Sequence, residues 1–395
     1  MKTKQKNNLW LLPDGVEELL PDQARQLEQL RREVLDSYQS WGYELIQPPF
    51  IEYLDSLLTG SGHELDLKTF KLVDQISGRL LGLRADMTPQ AARIDAHSLC
   101  SDEPTRLCYL GTVLHTGAVR ATASRCPVQS GAELYGHAGP ESDVEILQLM
   151  LNTLELTGLG DVHIDLGHVG IFRSLAKEAG LDGKQENLLF DALQRKAIPE
   201  IDAFLAGIDA TLEQKTRLAC LADLNGGIDI LQEAKVQLDG CGQETQQALS
   251  NLIDIAERVQ QALPEQLIYY DLAELRGYQY HTGLVFAAYI KGHGQEVARG
   301  GRYDDIGQHF GRARPAIGFS TDLAVLMKLG SRTYKQQQPG ILAPSEADSQ
   351  LQKKIRELRQ SGERVVFSLP GQSKTTACDR VLNLHEGHWV VDPLS

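Results

Sequence analysis

The chain has no stretch of about 18 apolar residues, so no membrane-spanning helix is encoded. It has no C-x-x-C pair. Its six cysteines, Cys100, Cys108, Cys126, Cys220, Cys241 and Cys378, are scattered, which argues against a disulfide frame or a zinc site and reads as buried thiols. Positive charge is also short, with 39 Lys and Arg against 53 Asp and Glu and a net charge of −14. That balance disfavours a broad phosphate-binding surface, because nucleic-acid affinity rests largely on Lys and Arg releasing counterions. The start, Met1 to Asn8, is basic and polar without the apolar core of a signal peptide, so a cytoplasmic protein is expected. What is present, 395 residues at 42% hydrophobic and 23% charged, is ordinary globular composition with room for two or three domains.

Chemistry concentrates in Leu275-Arg276-Gly277-Tyr278-Gln279-Tyr280-His281-Thr282-Gly283 and, after a short gap, Arg299-Gly300-Gly301-Arg302-Tyr303-Asp304. The apolar runs Leu267 to Tyr270 and Leu284 to Ala288 around the first stretch read as buried strands. Side chains alternate faces along a strand, so Arg276, Tyr280 and their neighbours can line one pocket. A small-molecule site and a pair of turns carrying surface charge both fit this pattern.

Upstream, Leu27, Leu30, Val34, Tyr38 and Trp41 are spaced three and four apart, which predicts a helix from Pro21 to Trp41, ended by Gly42. Tyr43 to Ile46 follows as a strand that stops at Pro48-Pro49. Such a unit is either an interface element or an ordinary helix and edge strand. Phe70 to Asp74 and Leu80 to Arg84 read as a hairpin. Thr88 before Pro89 reads as a helix N-cap, placing Asp86 and Thr88 at a strand-to-helix junction, where a carboxylate steadies the helix start or awaits an ammonium partner. Leu107 to Leu114 and Val128 to Tyr135 form a strand pair. Gln129 and Glu133 share one face of the second strand, facing either a pocket or solvent. Ser142 to Thr157 reads as a helix and Val162 to Leu166 as a strand, and from about Ile171 to Leu263 the pattern turns helical, like an insertion between strands of one sheet.

At this point the chain resembles the class II histidyl-tRNA synthetase catalytic core from Pro13 to about Leu329. The segment Leu83-Arg84-Ala85-Asp86-Met87-Thr88-Pro89 is similar to that family's LRPE-x-T segment, and the Arg276 to Gly283 and Gly300 to Asp304 stretches resemble its two histidine signature motifs. The resemblance implies an α+β fold: a class II aminoacyl-tRNA synthetase-like antiparallel sheet of six or seven strands flanked by helices, with Leu27 to Pro49 as the dimer element. It implies Asp86, Thr88 and Gln129 around an α-amino group, Glu133 on an imidazole, Arg276 on a carboxylate, and Tyr280 and His281 near the ligand ring. A carboxylate for an ammonium, a guanidinium for a carboxylate and an acceptor for a ring N–H together describe histidine.

Two departures limit the synthetase reading. His115 stands where motif 2 carries an arginine, and Val325, beside Asp322, stands where motif 3 carries another, so both expected phosphate-binding cations are gone. Only Gly330 to Ser395 remains where an anticodon-binding domain of about a hundred residues is expected, so tRNA recognition is not expected. The organisation expected is a synthetase-like core at 1–170 and 264–329, a helical insertion at 171–263 and a short C-terminal α/β segment at 330–395. A synthetase-like core with broken ATP motifs is similar to the family of ATP phosphoribosyltransferase regulatory subunits. That likeness implies a non-catalytic protein with no cofactor or metal, dimeric in itself and assembled with the short-form catalytic subunit into a hetero-octamer. It would take histidine as ligand and regulate the first step of histidine biosynthesis without contacting tRNA or a membrane. A free-standing histidine binder and an active histidyl-tRNA synthetase are the alternatives, the first separated by co-purification with a phosphoribosyltransferase and the second opposed by the missing cations at His115 and Val325.

Overall fold

Leu30, Val34 and Tyr38, spaced four apart, lie fully buried on one face of the helix Pro21–Ser40. Pro21 opens the helix where a missing N–H costs nothing, and Gly42, with φ at +83°, takes the left-handed turn that ends it. Tyr38 rests its hydroxyl 3.1 Å from Ser130 Oγ and its ring edge-on to Phe319, so the helix is laid against the large sheet. The computed structural model describes residues 10–60, 63–117, 124–274, 277, 280–372 and 377–394. Two units divide the chain, Met1–Arg332 and Thr333–Ser395.

In chain order the strands of the first unit are β1 (Glu44–Leu45), β2 (Ile51–Tyr53), β3 (Lys71–Val73), β4 (Leu80–Leu83), β5 (Thr105–Thr112) and β6 (Val128–Tyr135). They continue as β7 (Val162–His168), β8 (Asn225–Gly226), β9 (Leu267–Asp271), β10 (Leu284–Ile290), β11 (Glu296–Arg302) and β12 (Ala316–Asp322). Among the described residues nine of them form one sheet in the order β1-β5-β6-β12-β11-β10-β7-β9-β8, while β2-β4-β3 form a small separate sheet. The apolar run Leu284 to Ala288 is buried throughout because β10 is an inner strand, antiparallel to both β11 and β7. One sheet face is covered by helices, as the buried pair between Arg302 on β11 and Asp143 on the helix Pro140–Glu155 marks, with N···O at 2.7 Å. The opposite face carries the polar constellation. Helices occupy most of the stretch between β7 and β9, from Val169–Glu178 to Gln243–Ala262.

The second unit contains β13 (Gly340–Pro344), the helix Ser349–Gln360, β14 (Val365–Ser368), β15 (Cys378–His385) and β16 (His388–Pro393). Its sheet runs β14-β13-β15-β16 around a core of Ile341, Ala343, Leu351, Ile355, Val365, Leu382 and Trp389. Asp348 caps the helix through Gln350 N–H at 2.8 Å and also accepts the Trp389 indole N–H at 2.7 Å.

Four sequence expectations change. Of the six cysteines, read as buried thiols, Cys108 and Cys241 are buried, Cys126, Cys220 and Cys378 are half-buried and Cys100 is exposed. The large sheet has nine strands, antiparallel along β5-β6-β12-β11-β10-β7 and between β9 and β8, while β1 joins β5 and β9 joins β7 in parallel. Thr88 is the first residue of the helix Thr88–Arg93 rather than its cap, because Tyr109 OH takes its hydroxyl at 2.8 Å. Tyr280 sits in a turn and not on a strand: its N–H and that of His281 both bond Gly277 O, at 2.7 and 2.9 Å, and Gly277 has φ +69°. No helix among the described residues is long and apolar enough to cross a membrane.

Candidate ligand-binding site

β6 presents Gln129, Gly131 and Glu133 from the sheet face opposite the helices. Glycines clear that face. A Cβ on Gly131 would come within 2.5 Å of the Tyr109 hydroxyl, one on Gly301 within 2.8 Å of His281 Nδ1, and one on Gly318 would collide with the Glu133 carboxylate. Glycine inside a strand ordinarily weakens it. Here three glycines on neighbouring strands leave the room in which large polar side chains converge.

Glu133 is buried, and both its oxygens are occupied. Tyr109 OH donates to Oε1 at 2.8 Å and Tyr303 OH donates to Oε2. Burial pushes the carboxyl up to about 8, against the pull of those hydroxyls. Burial likewise raises Tyr109 and Tyr303 well above the ordinary phenol value. Toward the other end, Asp86 Oδ1 accepts Gln129 Nε2 at 2.7 Å and Thr88 N–H at 2.9 Å, while Gln129 Oε1 accepts Met87 N–H at 2.9 Å. Thr88 Oγ1, bonded to Tyr109 OH, joins the two ends into one network.

The structure thus brings Asp86, Thr88, Gln129 and Glu133 together. Tyr280 and His281 complete the Glu133 end: the Tyr280 ring stacks on Tyr303 with centroids 5.2 Å apart, and His281 stands edge-on to Tyr280 at 5.4 Å. Arg276 lies outside the described residues. Burial holds the His281 imidazole neutral by lowering it to about 4. Tyr280 OH and His281 Nδ1 are buried polar atoms with no hydrogen-bond partner among the described residues. Such atoms are costly when left dry, and a polar ligand ring would satisfy them.

Tyr109 and Tyr303 escaped the sequence reading as site residues. Tyr303 lay within the quoted Gly300 to Asp304 stretch, and Tyr109 sat two residues from Leu107 on the same strand face; the strand-interior glycines were the available signal that something large faces them.

The pH response of this network has a definite sign. Between the ordinary carboxyl range and about 8, the folded chain keeps a proton on Glu133 that the unfolded chain has released. Its contribution to stability is therefore fully present at low pH, falls as pH rises through that window with a slope of at most about 1.4 kcal/mol per pH unit, and levels off above it. Glu133→Gln removes the titration, so the urea midpoint of the variant should gain on that of the parent between pH 5 and 8.5. Parallel midpoints across that range would show that Glu133 titrates normally.

The end of the site where a nucleotide phosphate would lie is built differently. His115 offers Nε2 to Ala85 O at 3.0 Å, and burial lowers its pKa, so it stands as a neutral ring. Val325 lies half-buried on the helix Leu323–Leu329. Asp322 spends its Oδ1 on capping that helix at Ala324 N–H, 3.0 Å, and on Val128 N–H, 3.1 Å. Neither position supplies a cation.

The histidyl-tRNA synthetase family model matches residues 15–326, and the model described as the ATP phosphoribosyltransferase subunit HisZ C-terminal domain matches residues 338–392. The ATP phosphoribosyltransferase regulatory subunit of Thioalkalivibrio sulfidiphilus is 57% identical, with 98% of this chain and 99% of the relative aligned. That of Pseudomonas paraeruginosa is 54% identical over 98% of each. The chain belongs to the family of ATP phosphoribosyltransferase regulatory subunits. Among solved structures, an ATP phosphoribosyltransferase regulatory subunit/histidyl-tRNA synthetase from Bacillus halodurans superposes with TM-score 0.82 at 27% identity, covering 93% of this chain and 95% of that one. A histidyl-tRNA synthetase from Nostoc shares the fold, with TM-score 0.73 at 18% identity over 97% of both chains. Within the regulatory-subunit family, then, this chain keeps a class II synthetase fold, with the buried Glu133 held between the hydroxyls of Tyr109 and Tyr303.

Proposed function

We propose that this chain is a non-catalytic regulatory subunit of ATP phosphoribosyltransferase, supporting the catalytic subunit and carrying histidine feedback on the first step of histidine biosynthesis. The observation that carries the reading is the contrast within one cleft. Its amino-acid end joins Asp86, Gln129, Thr88, Tyr109 and Glu133 in a continuous network, while its nucleotide end has a neutral His115 and an apolar Val325. Histidine would place its ammonium at Asp86 and its ring at Glu133, Tyr280 and His281, with Arg276 on the carboxylate. Aminoacylation is lost for want of phosphate cations, and tRNA is not a ligand. The chain pairs with itself and joins the short-form catalytic subunit in a closed assembly, a hetero-octamer being the form that family likeness favours.

Calorimetry tests the ligand half of this reading. The intact chain should bind L-histidine, and Asp86→Asn should weaken it by about 1.5 to 3 kcal/mol, the range for a hydrogen bond to a charged group. Asparagine keeps an oxygen for Thr88 N–H and Gln129 Nε2, so the loss reports the missing charge rather than a collapsed junction. Equal affinity in parent and variant would remove histidine from this pocket.

A further inference from the structure

Arg299 lies on β11, two residues from Gly301 and therefore on the same sheet face as the pocket. Cross-strand register sets out one row, Tyr109, Gly131, Ser320 and Arg299, running across β5, β6, β12 and β11. The row falls midway along β6 between Gln129 and Glu133, which are about 13 Å apart by strand rise. An amino acid with its ammonium at Asp86 and Gln129 and its ring at Glu133 would have its carboxylate over the middle of that span, beside the Tyr109 hydroxyl that covers Gly131 and toward Ser320. Arg299 starts roughly 10 Å from Gly131, two strand spacings away, and an extended arginine can bring its guanidinium over Ser320.

Two further observations point the same way. Arg299 belongs to an inner strand of a nine-stranded sheet, yet its side chain is 57% exposed, so the face above it is open. Its ion pair with Glu296 is long, at 3.6 Å, and leaves a planar fork able to take a second anion. After burial, its charge is also among those that depress both His115 and His281.

We infer that Arg299, with the Ser320 hydroxyl beneath it, is a specificity-determining residue that grips the carboxylate of the bound amino acid. The inference rests on the histidine reading above and adds a cation to it, one that rises from the sheet floor toward the ligand carboxylate. It predicts selection for a free carboxylate over an alcohol or an amide at that position.

The test is titration of the full chain with L-histidine and with L-histidinol, which carries a primary alcohol in place of the carboxylate, for the parent, Arg299→Ala and Arg299→Lys. Arg299→Ala should weaken histidine by about ten- to a hundredfold while leaving histidinol within about twofold, and Arg299→Lys should restore part of the difference. Unchanged histidinol affinity also certifies that the variant is folded. Equal weakening of both ligands, or of neither, overturns the assignment of Arg299 while the histidine site stands. If the parent binds neither ligand, the histidine reading itself falls and takes the inference with it.

Discussion

Histidine-dependent exchange of labelled pyrophosphate into ATP is expected at background for the purified chain. Adenylate formation needs preorganised cations where charge builds on the α-phosphate and the leaving pyrophosphate. Removing one such donor typically costs about 100- to 1000-fold, and two independent losses multiply to roughly 10⁴- to 10⁶-fold. Here the first position is a histidine whose ring nitrogen is engaged by Ala85 O and whose burial keeps it neutral. The second is Val325, and the neighbouring Asp322 spends its carboxylate on helix capping. No rotamer change supplies the missing charge. Exchange clearly above a no-histidine control would mean that other side chains have taken over phosphate stabilisation.

Much of this architecture is legible in the residues, and what is not has physical causes. The helix Pro21–Ser40 and the strands β6 and β10 follow from apolar spacing, because burial imposes a period on them. The strand Cys378–His385 went unread because its sequence, Cys-Asp-Arg-Val-Leu-Asn-Leu-His, mixes charge into both faces and only Leu382 is buried. Thr88 looked like an N-cap since local sequence says nothing of Tyr109, 21 residues away, which claims its hydroxyl. The same limit hid the clasp on Glu133. Tyr303 is 170 residues from that carboxylate along the chain, and only the register of β6, β12 and β11 brings the two together. Spacing left open whether Gln129 and Glu133 face solvent; both are buried, Gln129 against Asp86 and Glu133 against Tyr109 and Tyr303.

Addition of this chain should raise the turnover of a short-form phosphoribosyltransferase and make that turnover sensitive to histidine. A subunit that regulates without chemistry of its own acts through a coupling free energy between its binding events and those of its partner, commonly about 1 to 3 kcal/mol, or some five- to 150-fold. Histidine bound as proposed would meet one hydrogen-bonded chain of Asp86, Gln129, Thr88, Tyr109 and Glu133 and so order both of its ends at once. Because coupling is reciprocal, binding of the catalytic chain should in turn shift this chain's affinity for histidine by the same factor. Glu133→Gln changes one ligand-facing group and no exposed surface, so it should blunt histidine's effect and leave assembly intact. The most direct measurement is steady-state formation of phosphoribosyl-ATP by the catalytic chain from the same organism, titrated first with this protein and then with histidine. The account predicts a saturable rise in rate followed by histidine inhibition that Glu133→Gln weakens; an unaltered rate and unaltered inhibition at saturating protein, with no complex by light scattering, would contradict it.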